Sequence, residues 1–190
     1  MKQILVIDNY DSFTYNLVHM LNIYKNYNVE VKRNDAIDTK TAAKYDKLIL
    51  SPGPGVPEEA GNMPKILHSL SSKMPILGVC LGHQAITEEY GGSLRNLSKV
   101  YHGIEGEMIK TKIDCPLLKD MPETFMAGRY HSWVADQSDF PKELMITSVD
   151  NKGEIMSLRH RSLPLYGVQF HPESIMTPLG KTMIKNFMEL

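Results

Sequence analysis

Short apolar runs that alternate with stretches of helical periodicity dominate the first half of the chain. Residues 4–7 (ILVI) form a continuous apolar run that ends at Asp8, which is typical of a strand buried on both faces of a parallel sheet. Apolar residues then recur at helical spacing over 13–21, and Asp11 or Ser12 is placed to cap the first free amides of this helix. The pattern predicts a strand–loop–helix unit.

The same pattern returns along the next sixty residues. It predicts strands at 29–32, 48–50 and 76–79, and helices around 39–44 and 62–71. Alternation of this kind favours a parallel sheet with right-handed crossovers and helices on both faces. Ligands bind such sheets at the carboxyl ends of the strands, so that edge is where we expect the functional residues.

The second half of the chain has shorter segments that alternate between apolar and polar positions. They predict antiparallel or mixed strands added to the sheet, at 144–149, 154–158 and 166–170, with a turn at 150–153. Thr177 is expected to cap a final helix that has Pro178 at its first position and runs to Leu190. The predicted fold class is α/β: a flavodoxin-like, mostly parallel central sheet with flanking helices, plus additional antiparallel strands in the C-terminal half.

Length and charge narrow the classes of partner. A chain of 190 residues with 42% hydrophobic and 23% charged residues predicts one globular domain over 1–190. Twenty-one basic and 22 acidic side chains leave a net charge of −1, so no strong field favours nucleic acid or an anionic membrane, and we expect neither as a partner. The first apolar run is too short for a signal peptide or a membrane span.

The cysteines and histidines do not have the spacing of a metal site. Two cysteines that lie 35 positions apart match no zinc or disulfide pattern, which favours a reducing, cytoplasmic environment. Ligand-pair spacing is also lacking among the seven histidines, which are His19, His68, His83, His102, His131, His160 and His171. We therefore expect neither a metal nor a cofactor.

Cys80 has the strongest local sequence signal for chemistry. The segment 78–84 (GVCLGHQ) runs from an apolar strand through Gly-x-Cys-x-Gly into a helical pattern, and it is the cysteine counterpart of the Gly-x-Ser-x-Gly nucleophile turn. Flanking glycines remove Cβ clashes, and a helix N-terminus favours the reactive thiolate. The alternative is an ordinary buried cysteine at a strand end.

His171 and Glu173 could supply the proton carrier that a thiol nucleophile needs. Residues i and i+2 of an extended segment point to the same side, and Pro172 disfavours helical geometry at His171. A carboxylate bonded to one imidazole nitrogen leaves the other nitrogen facing the thiol. Taken alone, the same segment (168–174, VQFHPES) could be an ordinary turn.

A third motif, residues 51–55 (SPGPG), follows the apolar run 48–50. Glycines held between prolines can present backbone amides to a developing oxyanion, although a plain β-turn would suit this composition equally well. Each motif is ambiguous by itself. All three lie at predicted strand ends of one α/β sheet, and together they indicate an acyl-transferring thiol enzyme.

The three motifs together resemble the class I (triad) glutamine amidotransferases over nearly the whole chain. The segments 8–16 (DNYDSFTYN) and 129–132 (RYHS) are similar to the branch that serves chorismate-using synthases. The resemblance implies Cys80 as nucleophile, His171 as general base and acid, and Glu173 as its orienting carboxylate. It also implies a glutamine site formed by Gly53, Pro54, Gly55, Gln84, Ser132 and Trp133, although leucine is more usual in the family at position 133.

The resemblance implies that glutamine is the substrate and that the partner is a chorismate-binding synthase subunit, in a hetero-oligomer. Anthranilate synthesis is the expected pathway. Aminodeoxychorismate synthesis, or a subunit shared by both pathways, is the alternative, because both synthases need only ammonia. Two further classes stay open: a free-standing γ-glutamyl hydrolase or cysteine peptidase, and an inactive binding module of flavodoxin-like shape.

Overall fold

The computed structural model describes all 190 residues, which form eleven strands and five helices. The strands are β1 (Lys2–Asp8), β2 (Tyr27–Arg33), β3 (Lys47–Leu50), β4 (Ile76–Val79), β5 (Leu94–Asn96), β6 (Ile104–Lys110), β7 (Thr124–Arg129), β8 (Trp133–Ala135), β9 (Leu144–Asp150), β10 (Ile155–His160) and β11 (Leu165–Val168). The helices are α1 (Thr14–Leu21), α2 (Thr39–Ala42), α3 (Met63–Leu70), α4 (Leu81–Glu89) and α5 (Gly180–Met188). None of these helices is long and apolar enough to cross a membrane.

Nine strands form one mixed sheet in the order β2-β1-β3-β4-β11-β10-β9-β6-β7. The first five strands of that order run parallel, and the four that follow β11 pair antiparallel. Strands β5 and β8 form a separate antiparallel pair. The predicted α/β class, with a mostly parallel sheet and added antiparallel strands, is confirmed.

The sheet separates two apolar layers because strand side chains alternate between its faces. In β1, Ile4 and Val6 pack in one layer with α1 and α5, whereas Leu5 and Ile7 pack in the other with α3 and α4. All four of these β1 side chains are fully buried. This double burial is the physical reason for the continuous apolar run in the sequence.

Both predicted side-chain caps are wrong. The helix α1 starts at Thr14 without a side-chain cap, and the Asp11 carboxylate instead accepts a hydrogen bond from the amide of Phe13 in the preceding turn. The final helix α5 starts at Gly180, not at Pro178, and Leu179 stands at its N-cap position. The Thr177 hydroxyl is bonded elsewhere, to the backbone around the candidate active site.

Candidate active site

Cys80 lies on a strained turn between β4 and α4. Its φ of 51° and ψ of −97° are unusual for a residue with a side chain, and the residue is buried, with a relative exposure of 6%. The turn is tight, because a Cβ on Gly78 would lie 2.4 Å from the carbonyl carbon of Gly82, and one on Gly82 would lie 2.6 Å from the carbonyl oxygen of Leu50. The two glycines therefore let three backbone segments meet beneath the thiol.

The parallel pairing of β4 with β11 brings the histidine motif beside this thiol. Val79 pairs with Val168, and the amide of Cys80 donates to the carbonyl oxygen of Val168 at 2.8 Å. Chain residues that follow β11 consequently emerge next to Cys80. His171 and Glu173 lie in this segment, and both are buried.

The imidazole of His171 is oriented by Glu173. Nδ1 of His171 is 2.7 Å from Oε1 of Glu173, so the Nδ1 proton is donated to the carboxylate. The other ring nitrogen, Nε2, is buried and has no hydrogen-bond partner. The predicted His–Glu pair is thus formed, and it leaves one nitrogen available for the thiol.

Opposing effects act on the pKa of His171. Burial lowers it, but the neighbouring Cys80 sulfur and the hydrogen-bonded carboxylate of Glu173 outweigh burial and raise the pKa to about 10. The imidazolium form is therefore favoured at neutral pH when the Cys80 sulfur is charged. A proton held there can be donated to a leaving group.

A pocket of about 180 Å³ opens beside Cys80. Its lining contains every residue that the resemblance implied for glutamine binding, together with the nucleophile and two more residues, as follows: Gly53, Pro54, Gly55, Cys80, Gln84, Tyr130, His131, Ser132 and Trp133. The sequence-predicted binding residues thus surround one small cavity next to the candidate nucleophile.

The proline–glycine loop on one side of this pocket is held by Asn9. The Asn9 side chain donates to the carbonyl oxygen of Ser51 at 2.8 Å, and the Asn9 amide donates to the Ser51 hydroxyl at 2.9 Å. Gly53 lies so close that a Cβ would be 2.6 Å from the Asn9 Cβ, and Gly55 has a φ of 72°. Glycine is required at both positions, for packing at the first and for backbone conformation at the second.

Gln84 and Trp133 meet on the other side of the pocket. The Gln84 amide nitrogen donates to the carbonyl oxygen of Trp133 at 3.1 Å and to Oε1 of Gln169 at 3.2 Å. Both partners accept from nitrogen, so Oε1 of Gln84 is left as an acceptor. The Trp133 contact is made by its main chain, which limits the effect of the departure from leucine.

Three functional neighbours were not identified from the sequence. The Tyr130 ring packs against the His171 ring at 4.8 Å, the Gln169 amide donates to the Cys80 sulfur at 3.5 Å, and the Thr177 hydroxyl donates to the carbonyl oxygen of His171 at 2.6 Å. Tyr130 and Gln169 lie inside or next to the quoted motifs, so motif proximity was the available signal. No local signal pointed to the role of Thr177.

The remaining candidates for chemistry have other environments. Cys115 is buried and unpaired, away from the pocket, and burial raises the pKa of its thiol. His83 is fully buried, and burial lowers its pKa to about 4, which keeps the ring neutral. The structure contains no group of three or more histidine, cysteine, aspartate or glutamate side chains that could hold a metal ion.

Covalent catalysis by a thiol requires a nucleophile, a proton carrier and an orienting group within one water-poor site. Cys80, His171 and Glu173 are candidates for these three parts and lie together at the carboxyl edge of a parallel sheet, so the molecule has the architecture expected of an α/β thiol enzyme. Comparison with known sequences identifies the family within this class of enzymes. The chain belongs to the class-I glutamine amidotransferase family, whose model matches residues 5–190.

Curated relatives are similar over nearly the full chain. The anthranilate synthase component 2 of Lactococcus lactis is 44% identical over 97% of this chain and 93% of that protein. The aminodeoxychorismate/anthranilate synthase component 2 of Bacillus subtilis is 43% identical over 98% of this chain and 95% of that protein. The bifunctional protein TrpGD of Thermotoga maritima is 40% identical over 100% of this chain, which spans 32% of that longer protein.

A solved structure shares the fold at lower identity. The crystal structure of a glutamine amidotransferase from Thermotoga maritima superposes with a TM-score of 0.79 at 17% identity, over 99% of this chain and 81% of that chain. At this identity the likeness supports the fold alone. The sequence-based assignment to the glutamine amidotransferases is confirmed by the family match.

Proposed function

We propose that this chain is the glutaminase subunit of an anthranilate synthase, which hydrolyses glutamine through a thioester on Cys80 and passes the ammonia to a chorismate-binding synthase subunit. The anthranilate formed there leads to tryptophan. The observation that carries the proposal is the meeting of Cys80 with the bonded His171–Glu173 pair beside a small polar pocket.

The contacts support the following sequence of steps. The Cys80 sulfur attacks the side-chain amide carbon of glutamine, and backbone amides of the 53–55 loop stabilise the oxyanion that forms. His171 donates its proton to the leaving nitrogen, so that ammonia departs and a γ-glutamyl thioester remains. His171 then takes a proton from water, whose oxygen attacks the thioester, and glutamate and the free thiol are released.

The partner is proposed from the relatives. Those of matching length are named as component 2 of anthranilate synthase, or of aminodeoxychorismate and anthranilate synthase together. A component 2 implies a separate component that uses the ammonia. The dual name of the Bacillus subtilis relative supports a second candidate, a subunit that serves aminodeoxychorismate and hence folate synthesis, alone or in addition.

The thiol chemistry also bears on the cellular compartment. Both cysteines are free, and Cys80 must stay reduced to act as a nucleophile. A reducing compartment meets this condition, and we therefore place the protein in the cytoplasm.

Substitution of Cys80 tests the proposal in the assembled complex. With Cys80→Ser, glutamine-dependent product formation should fall by more than about a hundredfold, because the nucleophile is lost, whereas formation from added ammonium salt should persist. Cys115→Ser is the matched control and should retain both activities, because that thiol lies outside the pocket.

Two outcomes would contradict the proposal. Loss of both activities in a folded Cys80→Ser complex would make Cys80 structural, and full glutamine-dependent activity would exclude it as nucleophile. Copurification of the chain with each chorismate-binding synthase, followed by product analysis, distinguishes the anthranilate from the aminodeoxychorismate pathway.

A further inference from the structure

A buried ion pair lies behind the pocket wall formed by residues 130–133. Nη1 of Arg129, at the end of β7, is 2.7 Å from Oδ2 of Asp150, at the end of β9, and the two side chains are 4% and 1% exposed. Neither residue lines the pocket or takes part in the proposed chemical steps. A buried ion pair is not in itself a gain in stability, since desolvation offsets the attraction. The contacts of Arg129 with the pocket wall point to a role in the geometry of the pocket rather than in stability.

Arg129 connects this ion pair to the wall through His131. Nε of Arg129 donates to Nε2 of His131 at 3.2 Å, which leaves the ring proton on Nδ1. Nδ1 in turn is 3.0 Å from the carbonyl oxygen of Trp133. Burial, with the charge of Arg129, lowers the pKa of His131 to about 3, so the ring stays neutral and keeps this tautomer.

The carbonyl oxygen of Trp133 is also the acceptor for the amide nitrogen of Gln84. A continuous series of hydrogen bonds therefore runs from Asp150 through Arg129 and His131 to Trp133, and from there to a side chain in the pocket. The carbonyl that accepts the hydrogen bond from Gln84 is therefore also bonded to the His131 ring.

The guanidinium at the centre of this series is held on several sides. Its carbon lies 3.7 Å from the centre of the Tyr101 ring, which itself stacks on His131 at 5.6 Å. A Cβ on Gly106 would lie 2.9 Å from Cδ of Arg129, so glycine makes room for the side chain. The second carboxylate oxygen of Asp150 accepts hydrogen bonds from the amides of residues 152 and 154, both at 2.9 Å.

We propose that Arg129 and Asp150 are positioning residues of the glutamine site, which act through His131 to set the Trp133 carbonyl and the Gln84 side chain. The inference rests on the proposed glutaminase function and deepens it. Cys80 and the 53–55 loop must receive the reacting amide of glutamine. We therefore infer that the other side of the pocket, formed by Gln84 and the wall of residues 130–133, holds the amino-acid end of the substrate. Damage to the wall should therefore raise KM more than it lowers kcat.

Arg129→Lys provides the first test, because lysine keeps the charge but lacks the forked donor that reaches Asp150 and His131 together. In the assembled complex, the KM for glutamine should rise about tenfold or more while kcat stays within about threefold. The matched control is Arg159→Lys on β10, where the guanidinium binds the carbonyl oxygen of Asp114 at 2.7 Å, outside the pocket. Its kinetics should equal those of the wild type.

Further measurements distinguish a positioning role of Arg129 from a general effect on the fold. One of them, the chemical reactivity of Cys80, does not depend on glutamine binding. Alkylation of Cys80 by iodoacetamide, followed by mass spectrometry, does not involve Gln84 directly, since Gln84 reaches the sulfur only through Gln169, and it should proceed close to the wild-type rate in Arg129→Lys. His131→Asn keeps a donor near the Trp133 carbonyl and should raise KM less than His131→Ala. Should Arg129→Lys fail to fold, Asp150→Asn, which has the same shape without the charge, decides the question by the same measurements.

Each remaining result has a definite meaning. A wild-type KM in both Arg129→Lys and Asp150→Asn would overturn the positioning role. So would a fall in kcat at unchanged KM, or slower Cys80 alkylation with a lowered unfolding midpoint, since these indicate general damage. A wild-type complex that makes product from ammonium but never from glutamine would instead overturn the proposed function itself.

Discussion

His171 and Glu173 have unequal tasks although a single hydrogen bond joins them. In the proposed reaction the carboxylate fixes the ring and stabilises its charge, whereas the ring carries the proton between sulfur, nitrogen and water. Glutamine at position 173 would still hold the His171 ring in part of its present orientation, because its amide oxygen can accept the same hydrogen bond. Nothing nearby replaces the ring.

Glu173→Gln should accordingly lower kcat for glutamine less than His171→Ala does. We expect losses of about tenfold to a hundredfold for the first and about a thousandfold or more for the second, measured as steady-state glutamate release. The double variant should be little worse than His171→Ala alone, because the two residues act as a unit. Equal losses in the single variants, each with a wild-type unfolding midpoint, would contradict this division of tasks.

The raised pKa of His171 predicts how stability depends on pH. A folded pKa near 10, above the ordinary value of 6.5, means that the charged ring stabilises the fold fully below about 6.5, and that this contribution is lost as the pH rises through about 10. The wild type should therefore lose stability relative to Glu173→Gln in urea unfolding between pH 6.5 and 10; the buried Lys47, whose pKa burial lowers to about 8, acts in the opposite direction above pH 8 but is common to both proteins. Glu173→Gln removes one cause of the raised pKa, so its decline over this range should be smaller. An equal dependence of the unfolding free energy on pH in both proteins would contradict the raised pKa of His171.

At the scale of elements, Thr177 joins the segment after β11 to β7. Its hydroxyl donates to the carbonyl oxygen of His171 at 2.6 Å and accepts from the amide of Gly128 at 3.0 Å, while the amide of His171 donates to the carbonyl oxygen of Gly128 at 3.0 Å. One hydroxyl thus fixes the backbone that carries the ring proposed to be catalytic. The hydroxyl is bonded there instead of capping α5.

Thr177→Val tests this link because valine has nearly the same shape without the hydroxyl. The change leaves a buried donor and a buried acceptor unpaired, so it should destabilise the protein by about 1 to 3 kcal/mol and lower kcat. Thr177→Ser keeps the hydroxyl and should stay close to wild type in both measurements. Denaturant unfolding and glutaminase assays provide the readouts, and equal behaviour of the two variants would show that the hydroxyl does not hold the ring.

At the scale of the whole molecule, Lys47 ties the central strand β3 to the last helix. Its buried ammonium donates to the carbonyl oxygens of Phe187 at 2.7 Å, Met188 at 2.9 Å and Leu190 at 3.0 Å. Phe187 and Met188 lie in the last turn of α5 and Leu190 lies just beyond it, so the ammonium binds the carbonyl end of this helix. The contact lies at the start of β3, whereas the active site lies beyond the carboxyl ends of the parallel strands.

Lys47→Met should therefore lower stability and leave catalysis intact. Loss of the buried contacts should cost about 1 to 3 kcal/mol, and each kcal/mol corresponds to a fall of about 2 to 4 °C in the thermal midpoint of a chain of this size. Lys44→Met, at an exposed lysine nearby, is the control and should change the midpoint little. A changed KM or kcat in the folded Lys47→Met protein would contradict the separation of this contact from the site.

The sequence by itself determined the layered α/β class, the strand-end position of the three motifs and the family. These features depend on local chemistry: double burial demands apolar runs in β1, and a tight turn demands Gly78 and Gly82 around Cys80. The sequence predicts His171 and Glu173 on one side of an extended segment; the two side chains do meet, but across a turn at 171–174, in which the Ser174 amide donates to the carbonyl oxygen of His171. Their signals lie within a few neighbouring residues. The order of residues along the chain is therefore enough to predict them.

Only the tertiary structure decided which distant groups meet. The pairing of β4 with β11 places Cys80 against residues about ninety positions later, and Thr177 finds its partner Gly128 across 49 positions. Polar groups compete for whatever partners folding brings near, so the hydroxyl of Thr177 binds β7 although a helix start lies next to it in sequence. For the same reason the contact between Asp150 and Arg129 has no local signature, because it joins residues 21 positions apart and depends on where β7 and β9 end.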